Sequence, residues 1–319
     1  MARLKAAEYR SQLSVVFILL AIIVLFIVGS PKAFLSGDIY AAFMSTIPFS
    51  MIMALSLTLV VITGEMDLSF PSIMGFCGYI FTVVFHASGS FPLALLTCIV
   101  VGLGAGFLNG LLIVKLRLPS LVLTIGTQFF WAGLTQVLCG GLGKTLVPTK
   151  QSILYYLFVG RIGGKLPAQI LWAVLIGFII WLVLNRHRFG AHIYFTGDNP
   201  ASARVMGVNV DKVKMVVFTQ MGGFAAFAGV LASIEVLYFW PTLGQGYLLK
   251  TIAAVFLGGT PVEGGVGTVF GTFIGAIIIG ILEAGIIAMG MSGFWTQLVY
   301  GLIIVVSIAM HSLLRRKII

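Results

Sequence analysis

Phe91-Pro92-Leu93-Ala94-Leu95-Leu96-Thr97-Cys98-Ile99-Val100-Val101-Gly102-Leu103-Gly104-Ala105-Gly106-Phe107-Leu108-Asn109-Gly110-Leu111-Leu112-Ile113-Val114 runs without a single charge, and Lys115 and Arg117 follow at once. A helix that crosses a bilayer needs about twenty consecutive apolar residues. Cations beside its end mark a cytoplasmic face. The stretch therefore predicts a transmembrane helix, and the rest of the chain repeats its pattern. Hydrophobic residues make up 60% of the sequence and charged residues 9%, where a soluble domain carries about 25% charged. The fold class is an all-α polytopic membrane protein, one domain over 1–319, with loops too small to hold a soluble catalytic domain. The net charge of +10 is explained by Lys and Arg held at cytoplasmic span ends, not by nucleic acid.

Ten spans follow from the length rule: 13–29, 40–63, 70–87, 91–114, 119–139, 167–185, 213–236, a short one at 250–259, 268–290 and 294–312. The basic residues Arg3 to Arg10 precede the apolar run Ser14 to Val28. No small-residue cleavage site follows it, so the run reads as an uncleaved first span. With ten spans the N-terminus, the Lys115/Arg117 turn and the Arg315-Arg316-Lys317 tail share the cytoplasmic side. The loop 140–166 breaks the pattern. It carries Lys144, Lys150, Arg161 and Lys165 yet is expected outside, together with the aromatic stretch Tyr238 to Tyr247.

A polar island separates spans six and seven, from Asn185 to Met215. Its centre is Gly197-Asp198-Asn199-Pro200-Ala201-Ser202-Ala203-Arg204-Val205-Met206-Gly207. Asn199 suits an N-cap, Pro200 the first helical position and Gly207 a left-handed stop. A short capped helix on the cytoplasmic side has the character of a docking element for a protein outside the membrane.

Span two ends in Leu59-Val60-Val61-Ile62-Thr63-Gly64-Glu65, and span eight in Ala254-Val255-Phe256-Leu257-Gly258-Gly259-Thr260. A second echo relates Phe107-Leu108-Asn109-Gly110 to Ile281-Leu282-Glu283-Ala284-Gly285. Both pairs predict two parallel pseudo-repeats about an axis along the membrane normal. Broken helices near Gly64, Asp67 and Ser69 and near Gly258 and Gly259 are tolerated in a membrane only against protein or a water-filled cavity. Gly102, Gly104, Gly106 and Gly110, and Gly267, Gly271 and Gly275, read as close-packing devices.

Other motifs fail on spacing. Gly143-Lys144-Thr145 lacks the glycine of a phosphate loop, since Leu138 stands there. Gly264-Gly265-Val266-Gly267 follows no soluble strand. Cys77, Cys98 and Cys139, and His86, His187, His192 and His311, form no ligand pattern. No catalytic or metal site is expected. Polar residues inside spans are the sharper signal, because such groups normally face a partner or a cavity. Asn109, Gln128, Glu283 and Gln297 are the pathway candidates. Gln220 and Glu235 have the plainer reading of helix–helix bonding or an interfacial position.

Thr63-Gly64-Glu65-Met66-Asp67-Leu68-Ser69, the island, and Ile252 to Thr260 with Gly264-Gly265-Val266-Gly267-Thr268 resemble the permease subunits of bacterial ATP-binding-cassette importers. The nearest likeness is to ribose-type monosaccharide permeases, from about residue 40 to the C-terminus. The resemblance implies an inner-membrane location and two permease subunits, identical or paired with a sister. It implies a cytoplasmic ATPase that binds ATP and magnesium and docks at 200–206. A periplasmic or lipid-anchored binding protein would deliver solute. Relatives also carry autoinducer-like sugars, nucleosides and branched-chain amino acids. Two departures stand out: Phe70-Pro71 where Val-Gly is usual, and Glu283-Ala284-Gly285 where Asn-Asn-Gly is usual. The alternative to an ATP-driven permease is a stand-alone ion-coupled transporter or channel using Glu283.

Overall fold

The computed structural model describes the backbone of residues 2–316 and the side chains of 13–310. The side chains of Arg3 to Arg10, His311 and Arg315-Arg316, and all of Lys317, lie outside that description. The chain is helical almost throughout: α1 (Ala2–Gly29), α2 (Pro31–Phe34), α3 (Gly37–Ile62), α4 (Phe70–Ser88), α5 (Phe91–Leu116), α6 (Ser120–Cys139), α7 (Ile153–Val159) and α8 (Ala168–Arg186). These are followed by α9 (Arg188–Asp198), α10 (Pro200–Val205), α11 (Val210–Val236), α12 (Tyr247–Leu257), α13 (Val269–Ala288) and α14 (Phe294–Arg316). Seven of them, α3, α4, α5, α6, α8, α11 and α13, are long and apolar enough to cross a membrane. The stretches Leu13–Gly29, Tyr247–Leu257 and Phe294–Met310 are apolar but shorter.

Burial orders the bundle. The apolar window of α3 is 94% buried, so α3 is the central post, while that of α6 is only 11% buried and faces outward. Close approach is set by glycine. A methyl group on Gly106 would lie 2.2 Å from the Phe218 carbonyl oxygen, and one on Gly222 would lie 2.1 Å from that of Gly102. Helices α5 and α11 therefore touch backbone to backbone, as small residues in membrane helices permit. Gly271 and Gly275 do the same for α13 against Gly258, which caps α12, and Ala254 within it. Gly104 corrects the packing expectation, since a methyl there meets nothing within 4 Å. Gly267 lies in the loop before α13, at φ 157, and not in the packed helix.

The two ends of the bundle differ. At one end two small strand pairs form: β1 (Lys144–Thr145) with β4 (Tyr238–Phe239), and β2 (Arg161–Ile162) with β3 (Leu166–Pro167). This strand end joins the loop 140–166 to the end of α11. Arg161 forms a two-pronged ion pair with Glu235, and Gln169 Nε2 donates to the same carboxylate at 2.7 Å. One cation of the anomalous basic loop is thus neutralised by α11. At the other, island end sit α9, α10, the α5–α6 turn with Arg117, and the connectors 63–69 and 258–268.

The aromatic stretch 238–247 does not stay at the strand end. Helix α12 has 11 residues, about 16 Å of rise, roughly half a bilayer core. The chain covers the remaining depth as a turn that folds back between α4 and α6. A methyl on Gly75 of α4 would lie 2.3 Å from the Leu243 carbonyl oxygen, and one on Gly244 would lie 1.9 Å from that of Pro71. Leu243 and Gly244 are buried, so protein surrounds this non-helical backbone, as the membrane requires.

Candidate translocation and coupling site

The two predicted helix stops share one bonding pattern. At the end of α3, Gly64 N donates to Val61 O at 2.9 Å and Glu65 N to Val60 O at 3.4 Å. At the end of α12, Gly259 N donates to Phe256 O at 3.0 Å and Thr260 N to Val255 O at 3.3 Å. Gly64 and Gly259 take φ of 79° and 89°, the left-handed stop that glycine allows. Helix α4 follows the first stop and α13 the second. The echo of Asn109 in Glu283 is therefore corrected. Asn109 lies on α5, near the island end, whereas Glu283 lies towards the strand end of α13.

The island is anchored on both stops. Gly265 N, in the connector after α12, donates to Ile62 O, the last residue of α3, at 2.8 Å. Gly197 of α9 lies against this bond. A methyl on it would fall 1.7 Å from Ile62 O and 2.6 Å from Gly265 N. A methyl on Gly264 would fall 2.6 Å from Gly64 N, so the two stops lie back to back. Tyr194 of α9 adds a hydroxyl bond to Gly267 O at 2.8 Å, and Lys214 of α11 pairs with Glu65. Helix α9 was not legible in the sequence. Gly190 and Gly197 lower its propensity, and its one buried face is short.

Helix α10 has the expected ends. Asn199 Oδ1 accepts from Ala201 N and Ser202 N, each at 3.0 Å. Pro200 opens the helix, and Gly207 turns it off at φ 84. Ala203 is buried, while Arg204, Val205 and Met206 are exposed. Arg204 reaches Asp211 Oδ1 at 3.1 Å, an exposed pair that contributes little. The outer face of α10 is thus presented to the solvent beyond the bundle.

A polar stripe runs along α6 at helical spacing. Ser120 Oγ accepts from Met66 N at 3.0 Å, and Thr124 Oγ1 from Leu68 N at 3.1 Å. Gln128, Thr135 and Gln136 continue it. In the first connector, Asn109 Nδ2 donates to Ser69 Oγ at 2.7 Å, and Ser69 Oγ donates to Asp67 Oδ1 at 2.6 Å. Asp67, Ser69 and Asn109 are fully buried. Burial pushes the Asp67 carboxyl up to about 6, against the opposing hydrogen bonds of the Ser69 side chain and the Ser69 and Phe70 backbone.

Beside the stripe is a cavity of about 390 Å³. Its walls include Pro71 and Ser72 at the start of α4, Gly246 at the start of α12, and Gln128, Thr135 and Gln136 of α6. Gln136 Nε2 is fixed on Pro241 O at 3.1 Å. Sequence reasoning missed this meeting of two helix N-termini because the fold-back of 240–246 has no local signature. A second cavity of about 450 Å³, towards the strand end, includes Glu235, Trp240, Tyr247, Lys250 and Glu283. Glu283 is paired there: Lys250 Nζ lies 3.4 Å away and the Tyr300 hydroxyl donates at 3.2 Å. Gln297 is exposed and lines neither cavity. Gln220 has the plainer role, bonding Ser56 of α3 from α11 through Oε1 at 3.0 Å and Nε2 at 3.1 Å. The structure thus ties Asn109 to the 63–69 connector through Ser69, places Gln128 in the wall of the cavity beside α6, and leaves Glu283 and Gln297 apart from both.

Comparison with known proteins agrees with this architecture. Residues 39–308 match the family described as branched-chain amino acid transport system / permease component. The ribose import permease protein RbsC of Escherichia coli (strain K12) is 30% identical over 292 residues, covering 91% of this chain and 90% of that protein. The autoinducer 2 import system permease protein LsrC of Escherichia coli O9:H4 (strain HS) is 31% identical over 299 residues, covering 93% and 86%. Its counterpart in Salmonella paratyphi B is 31% identical over 293 residues, covering 90% and 82%. No solved structure matches. The family extent and these relatives, on an all-helical multi-pass bundle, show that the chain belongs to the family of permease subunits of ATP-binding-cassette importers, located in the bacterial inner membrane.

Proposed function

We propose that this permease passes a neutral polyhydroxylated solute, a monosaccharide or similar polyol, through the cavity beside α6. The observation that carries this is the lining of that cavity. Gln128, Gln136, Gln245, Ser72 and Thr135 offer hydrogen bonds and no charge. The first turn of α12 adds backbone N–H groups without a helical partner, which favour oxygen ligands. Discontinuous helices meeting at mid-depth are a recurrent form of transporter binding site. A branched-chain amino acid would bring two charges that no side chain here meets. The ribose and autoinducer 2 import relatives support the sugar reading.

On this reading the chain crosses the membrane ten times as two parallel repeats, with the island end and both termini in the cytoplasm. The exposed face of α6, with Leu121, Val122, Ile125 and Phe129, meets a second permease subunit, identical or a sister, and the route runs at their seam. A periplasmic or lipid-anchored binding protein delivers solute at the strand end. ATP and magnesium are bound and used in the partner ATPase, which seats α10. Glu283 gives the ion-coupled alternative little support, because Lys250 and Tyr300 already compensate it.

Gln128→Ala is expected to lower ribose uptake into proteoliposomes of the assembled importer about tenfold. That is the loss of one hydrogen bond worth about 1.4 kcal/mol at the passage. Unchanged uptake of every sugar tested would move the route off α6. Arg204→Glu, and separately Asn199→Gly with Pro200→Gly, are expected to abolish uptake while membrane insertion persists. Loss of the cap and of the fixed φ melts a six-residue helix, and charge reversal repels its acceptor groove. Normal uptake in these variants would rule out α10 as the coupling element.

A further inference from the structure

Asp67 is the only acidic side chain fully buried among the described residues. Its oxygens are treated differently. Oδ1 accepts from Ser69 N at 2.8 Å and from Ser69 Oγ at 2.6 Å. Oδ2 is buried with no partner, and so is Asn109 Oδ1 in the same bonded network. Two orphan acceptors joined through Ser69 lack a donor. A sodium or potassium ion would need several more oxygens than these two supply. A single proton on Asp67 Oδ2 removes the buried charge and turns one orphan acceptor into a donor.

Charged neighbours do not neutralise the carboxylate. Glu65, on the same connector, is paired with Lys214 of α11. Arg204 of α10 is paired with Asp211 of α11. These four and Arg117, from the α5–α6 turn, line a cleft of about 620 Å³ at the island end. Lys115 closes α5. Helix α6 has no charged residue, and the first turns of α4 have none. The cleft includes Ile113, one turn along α5 from Asn109, and Glu65, two residues from Asp67.

We propose that Asp67 is a proton-binding site, loaded from the island-end cleft, whose occupancy holds the α3–α4 connector in the conformation seen here. An ionised carboxylate without a partner is costly in a dry interior. The capping bonds from Ser69 and Phe70 oppose that cost, and the carboxyl settles at about 6. This is raised above the ordinary 3.8. The stabilisation from the proton is therefore complete below that ordinary value and is lost as pH rises through about 6. Movement of the connector with α9 and α10 admits water and releases the proton.

The test is an infrared titration of the full chain in lipid nanodiscs between pH 4.5 and 8, which needs neither ligand nor ATPase. A protonated-carboxyl band that vanishes with a midpoint near 6 and is missing from Asp67→Asn is the expected result. Over the same range the melting temperature falls in the wild type, and the Asp67→Asn curve is flatter. A spectrum and melting slope identical in wild type and Asp67→Asn overturn the proposal. If Asp67→Asn does not insert, Asn109→Leu serves, since a more apolar surround moves the midpoint upward; an unmoved midpoint overturns it equally. In the assembled importer, where the importer reading is also at stake, wild-type uptake changes through this pH window and Asp67→Asn uptake does not. Absence of ATP-driven uptake at every pH would count against the importer reading while leaving the infrared result standing.

Discussion

Gly197→Ala is expected to abolish ATP-driven uptake while the protein still inserts and the ATPase still binds. The methyl group has no room: it would sit 1.7 Å from Ile62 O, and a carbonyl oxygen of the main chain cannot move aside as a flexible side chain can. It would also part the Gly265 N to Ile62 O bond. That bond ties the end of α3 to the connector after α12. Helix α9 would be pushed off both helix stops, and α10, joined to it at Asn199, would no longer move with them. ATP hydrolysis without uptake is the signature to measure, in proteoliposomes that report both. Parallel loss of hydrolysis and of assembly would mean that Gly197 serves folding alone.

Gly222→Ala is expected to cost the folded protein itself. The added methyl would fall 2.1 Å from Gly102 O and 2.8 Å from Gly106 N, again backbone atoms, where α11 meets α5. Forcing a methylene into a filled interior costs about 1–3 kcal/mol where side chains can adjust, and here they cannot. A drop in the monodisperse fraction on size-exclusion chromatography and a melting temperature lowered by several degrees are expected. Gly104→Ala, on the partner helix α5, is the control. A methyl there meets nothing within 4 Å, and alanine is the better helix former by about 0.5–1 kcal/mol. Equal behaviour of the two variants would refute the backbone-contact account of α5 and α11.

The sequence was most informative where structure is local. Apolar runs of span length gave nearly all the long helices. The Asn199 cap and the Gly207 stop of α10 were readable, as were the stops at Gly64 and Gly259, because each depends on a few neighbouring residues. Pairings across the chain were not. Glu283 read as an uncompensated carboxylate because Lys250 and Tyr300 reach it from other helices. Arg161 read as an orientation anomaly because Glu235 lies on a distant helix. The fold-back of 240–246 and the cavity it closes depend on Gly75 and Gly78 admitting Leu243, a fit that neither segment announces alone. Asn109 and Gln128 were readable as single candidates. That Asn109 bonds Ser69 beside Asp67, while Gln128 lines the cavity beside α6, needed the folded chain.

A protein seated on α10 is expected to drive a sugar through the cavity beside α6. The measurement is ribose accumulation by proteoliposomes. They would contain the permease with its ATPase and binding protein, with ATP and magnesium supplied on the ATPase side. Accumulation that needs both ATP and the ATPase, and that disappears in Gly197→Ala, is the predicted result. Accumulation driven by a proton or sodium gradient with the ATPase left out would contradict it.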